Sequence, residues 1–141
     1  MAPVSDDPVT ALNEVLSEVI NFVQEVKQAH RKVPETHALH AALDQLFDDL
    51  GAWARVLVER DEALGISPLA SMPSVAGRTP PNLWPGTVSD DEVRELVDAH
   101  LDRLGRHAAA ALAAQDDQQG RTALTRVERG VRAHRERLTA L

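Results

Sequence analysis

"ISPLASMPSVAGRTPPNLWPGTV", residues 66–88, carries five prolines and two glycines and lies between two stretches of helical periodicity on either side. Proline lacks a backbone donor and clashes with the preceding turn, so the segment reads as a connection rather than a helix. Its length decides the topology. These 23 residues can cover the ~40 Å of a long helix at ~3.3 Å per residue, and every other connection in the chain is only a few residues long.

Upstream, Asp7-Pro8 reads as an N-cap with proline at the first helical position. Leu12, Val15, Leu16, Val19, Val23 and Val26 then recur at helical spacing until Pro34, giving a first helix over roughly 8–32. Leu39, Leu43, Leu46, Leu50, Trp53 and Leu57 mark a second helix over roughly 36–64, closed by Gly65. Gly51 within it suggests that another backbone passes close. Downstream, Ser89-Asp90-Asp91-Glu92 is a capping box opening a third helix with apolar positions Val93, Leu96, Val97, Leu101, Leu104, Ala108, Ala111 and Leu112, ending near Asp116. After Asp117-Gln118-Gln119-Gly120, a fourth helix carries Leu124, Val127, Val131, His134, Leu138 and Leu141. Short turns make the first and second helices antiparallel, and likewise the third and fourth. The long link lets the second and third run parallel, which is the all-α, ferritin-like four-helix bundle with one long crossover. An up-down-up-down bundle with an idle loop is the alternative.

At 141 residues the length predicts a single domain over 1–141. Without cysteine the chain has no disulfide, thiolate ligand or cysteine nucleophile. An acidic start at Asp6-Asp7 and the lack of an ~18-residue apolar run predict a cytoplasmic protein that does not enter a membrane. The net charge is −7, yet residues 121–141 hold six arginines against two glutamates. Such an asymmetry suits either an acidic partner or a solvated arginine face docked among acidic neighbours. With two phenylalanines, two tryptophans and no tyrosine, platforms for stacked bases or flavins are not expected. No serine sits in a Gly-x-Ser-x-Gly elbow and no glycine-rich phosphate loop is present.

The polar residues leave one pattern with metal chemistry. "HALHAALD", residues 37–44, places His37, His40 and Asp44 on one side of the second helix. An imidazole and a carboxylate one turn apart can chelate iron or zinc, and the same run also reads as the wet flank of a bundle helix. There is no Glu-x-x-His, so a di-iron site inside one subunit is not expected. Asp44 and Glu59 lie ~22 Å apart along the helix axis and cannot share an ion within one chain. His100, His107 and His134 read as hydrogen-bonded histidines in or beside the core.

Taken in order, several short motifs resemble the Dps mini-ferritins. They are Leu12-Asn13, Lys27-Gln28-Ala29-His30, His40-Ala41-Ala42-Leu43-Asp44, and Val58-Glu59-Arg60 followed by Ala63-Leu64-Gly65 and Pro68-Leu69. Asp116-Asp117 with Thr122, Val127, Arg129, His134 and Leu141 extends the likeness to the end of the chain. The resemblance implies a cytoplasmic, stress-protective protein that assembles as a hollow dodecamer and oxidises and stores iron at sites between subunits. Its metal ligands would be His30, His40 and Asp44 of one chain and Glu59 of its partner. Four features depart from the family: Arg31 replaces a tryptophan, the His30–His40 gap is about two residues short, the crossover is too rich in proline for the family's short extra helix, and Arg55 stands where a second partner carboxylate is expected. The expectation is therefore weakened ferroxidase chemistry; the alternative is a non-catalytic bundle in which Arg55 pairs with Asp44 or Glu59. The acidic tail also lacks DNA-binding lysines, so DNA binding is expected to be weak or absent.

Overall fold

The computed structural model describes residues 7–65 and 88–141. Four helices, α1 (Pro8–Lys32), α2 (Ala38–Ala63), α3 (Asp90–Ala114) and α4 (Gln118–Thr139), make up the described chain. The crossover expected at 66–88 lies outside the described residues except for Val88.

Each helix starts and stops for a local reason. Asp7 accepts from the Thr10 amide at 2.9 Å, and Pro8 takes the first turn, where its missing N–H costs nothing. Pro34 follows the extended Val33 that ends α1. Gly65 closes α2 at φ +78°, the left-handed conformation glycine adopts without strain. Ser89 Oγ accepts from the Glu92 amide at 3.1 Å and donates to the Glu92 carboxylate at 3.2 Å. Asp117 accepts from the Gly120 amide at 2.7 Å, so α4 starts at Gln118, inside the stretch expected to be a turn.

In cross-section α1 packs on α2 and α3, and α4 packs on the same two, leaving α2 and α3 diagonal. Asp90 at the head of α3 bonds His37 at the head of α2, so these two helices run parallel. The bundle is therefore ferritin-like, and the up-down-up-down alternative is excluded. The core is the apolar seam expected from periodicity, with Leu12, Leu16, Phe22, Leu43, Leu50, Leu57, Leu101, Leu104 and Leu124 essentially inaccessible. No described helix is long and apolar enough to cross a membrane.

Three expectations fail. Leu96 and Leu141 are exposed, Leu141 lying beyond the end of α4 at Thr139. Gly51 meets nothing: a Cβ there would touch no atom of another element. The close approach occurs instead at Gly130, where a Cβ would collide with the Trp53 indole, and at Gly105, where it would lie 3.1 Å from Val131 Cγ1.

Candidate metal centre

The α1–α2 turn brings the end of α1 against the start of α2, so His30 comes to face the first turns of α2 despite the short connection. One donor atom from each of His30, His40 and Asp44 lies within 4.8 Å of the other two. The imidazoles of His30 and His40 overlap at a tilt of 37°, with centroids 3.8 Å apart. Asp44 reaches His30 Nε2 at 2.6 Å through Oδ1 and His40 Nε2 at 3.9 Å through Oδ2.

Two details equip these nitrogens as ligands. The Val33 carbonyl lies 2.9 Å from His40 Nδ1; a carbonyl can only accept, so Nδ1 carries the proton and a neutral His40 ring turns the lone pair of Nε2 toward Asp44. His30 Nε2, although 2.6 Å from a carboxylate oxygen, lacks hydrogen-bond alignment and is a buried nitrogen without a hydrogen-bond partner. A buried polar atom in that condition costs free energy unless something else satisfies it. A divalent cation held between the two imidazoles and the carboxylate fits this donor set.

The cluster is open on one side. The Asp44 side chain is 61% exposed, while those of His30 and His40 are 30% and 16% exposed. Glu59 and Arg55 are exposed on the same helix, Glu59 being four turns beyond Asp44 and not part of the cluster. Among the described residues no ion pair joins Arg55 to Asp44 or Glu59 within the chain. His37 turns away from the cluster and bonds Asp90 at 2.8 Å. Of the remaining histidines, His134 Nε2 bonds Asp49 at 2.6 Å, and His100 and His107 bond glutamates of α1. The Val33 carbonyl was invisible to motif reading because a backbone group leaves no residue-type signal.

No family model matches the chain. It is 32% identical over 108 residues to the DNA protection during starvation protein of Agrobacterium fabrum, an alignment covering 75% of this chain. The chain spans 65% of the length of that curated relative. It also superposes on Dps from Microbacterium arborescens in its high iron form with a TM-score of 0.78, covering 99% of this chain and 97% of the other at 22% identity, a likeness of fold. Sequence likeness to the first protein over three quarters of this chain, together with the shared ferritin-like bundle, makes the chain similar to the Dps proteins.

Proposed function

We propose that the chain is an iron-binding and iron-storing protein whose ferroxidase-type sites form between subunits and work slowly. The observation that carries this reading is the His30–His40–Asp44 cluster, with His40 locked by Val33 and a buried His30 nitrogen lacking a hydrogen bond. The relatives support it: one is a DNA protection during starvation protein, and the other is a Dps whose structure is of a high iron form.

Ferrous iron is the substrate. His30 and His40 supply imidazole nitrogens, Asp44 supplies a charged oxygen, and the exposed side of Asp44 faces a second copy that contributes Glu59 of the partner subunit. Such a set binds ferrous ion and, with harder carboxylate oxygens, favours the ferric product. Two ferrous ions each give one electron to hydrogen peroxide, whose O–O bond breaks and which takes up two protons to leave as two waters, and the ferric product is retained inside an assembled cage, a dodecamer by the family's pattern. Arg55 places a permanent positive charge near the partner's side of the site and slows uptake.

Metal analysis of purified protein together with its native mass tests the reading. Iron bound to an assembled oligomer, lost in His40→Ala, is the expected result. An assembled oligomer that takes up no iron overturns it in favour of a structural bundle.

A further inference from the structure

Between α1 and α3, on the seam away from α2, lies a second set of imidazoles and carboxylates. His100 has 8% of its side chain exposed, stacks on Phe22 with ring centroids 3.9 Å apart and places Nδ1 2.5 Å from Glu25 Oε2. As a carboxylate Glu25 accepts from Nδ1–H, so in the neutral ring Nε2 carries a lone pair. That nitrogen faces Glu18 Oε1 across 4.0 Å. Glu18 Oε1 is buried and has no hydrogen-bond partner, while its Oε2 lies 2.5 Å from His107 Nδ1. Two acceptor atoms thus confront one another with no aligned donor between them.

We propose that Glu18 and His100 form a second divalent-cation site, for a borderline transition metal such as zinc. Zinc takes nitrogen at ~2.0–2.1 Å and carboxylate oxygen at ~2.0–2.2 Å, so a 4.0 Å gap is the span of two ligands meeting on one ion at a wide angle. Glu25 holds the ligating ring from behind, the carboxylate–histidine arrangement that fixes tautomer and raises ligand basicity. His107 orients Glu18 through its other oxygen. A cavity of about 270 Å³, lined in part by Leu96, Glu25, His100 and Arg103, opens beside the His100 ring, with Glu18 outside its lining. Arg103 Nε stands 3.7 Å from Glu18 Oε1 on a side chain 45% exposed, so the guanidinium can swing into solvent when an ion enters.

Zinc titration of the assembled full chain carrying His30→Ala, His40→Ala and Asp44→Ala together isolates this site from the first cluster. The expected result is one zinc per chain, weakened at least tenfold by Glu18→Gln or by His100→Ala and unchanged or tightened by Arg103→Ala. Cobalt in place of zinc should show a visible ligand-field band that His100→Ala removes. If His100→Ala loses helicity by circular dichroism, Glu18→Gln, which keeps the side-chain shape and an acceptor for His107, decides alone. No zinc uptake by the triple variant overturns the proposal, and so does uptake that survives Glu18→Gln.

Discussion

His37 Nδ1 and Asp90 Oδ2, 53 residues apart in sequence, lie 2.8 Å from one another, joining the first residues of α2 and α3. Between helices lying side by side in one bundle, a bond joining the two beginnings means that they run the same way. Spin labels at Ala38 and Glu92 should therefore report a short separation. A distance near the ~40 Å of a full helix would reverse the direction of α3 and sink the topology.

The capping residues were legible because they act locally: Asp7-Pro8, Gly65 and Ser89 do in the structure what their chemistry dictates in any chain. Packing between helices was less legible. Nothing in the second helix distinguishes Gly51, which approaches nothing, from a true contact glycine, and Gly130 is recognisable only once α4 is known to face Trp53. The cluster was partly readable for the same reason. His40 and Asp44 are one turn apart on one helix, but the arrival of His30 beside them depends on the path of the α1–α2 turn. The Glu18–His100 pairing needed the adjacency of α1 and α3, which spacing along either helix does not encode.

Gly130 should not tolerate a side chain. A Cβ there collides with the indole of Trp53, which is buried at 4% exposure. Overpacking of this kind costs about 1–3 kcal/mol. Gly130→Ala is expected to lower the urea midpoint accordingly, and Trp53→Phe in the same chain to recover part of the loss. The same change at Gly51, on an open face, should cost nothing by packing and gain helix propensity.

Acid titration should expose two opposed groups. Burial raises the Asp61 carboxyl from its ordinary 3.8 to about 6, so between those values the folded chain holds a proton that the unfolded chain has released. Its contribution to stability therefore falls as pH rises through that window. Burial lowers the pKa of His134, partly offset by the hydrogen bond to Asp49, so its contribution falls as pH drops through the ordinary histidine range. Asp61→Asn should raise Tm at pH 7 by a few degrees and leave a steeper loss below about pH 6.5, where His134 acts alone. A parallel shift at every pH would show that Asp61 is not the titrating group.

DNA should bind weakly at physiological salt. Two of the six α4 arginines face carboxylates within the chain: Arg135 bonds Asp98 at 3.0 Å and Asp102 at 2.9 Å, and Arg132 lies 3.8 Å from Glu128. Guanidinium groups already facing carboxylates release few counterions from phosphate, and the net charge of −7 repels the backbone. A gel shift at moderate salt is expected to show little complex. Tight binding would overturn this, and Arg132→Ala with Arg135→Ala would then show whether α4 is responsible.

Arg55 is where the proposed iron chemistry is most exposed to test. Its guanidinium is exposed on α2, one turn before Glu59, and no carboxylate of its own chain neutralises it among the described residues. Guanidinium stays protonated at any relevant pH and has no lone pair to offer a cation. If Glu59 of the partner subunit completes the cluster, Arg55 of the same subunit arrives with it. At ~4 Å two unit charges interact with ~4 kcal/mol at an effective dielectric of ~20, and a divalent ion feels twice that repulsion. Arg55→Asp reverses the sign and adds a ligand, so it should speed ferrous oxidation several-fold and raise iron occupancy. Arg55→Ala, which only removes the charge, should fall between the two. His40→Ala in the Arg55→Asp background should abolish the gain, because the imidazole half of the site is then missing. A variant that folds and assembles yet oxidises iron no faster would detach Arg55 from the site and leave His30, His40 and Asp44 as a cluster within one chain.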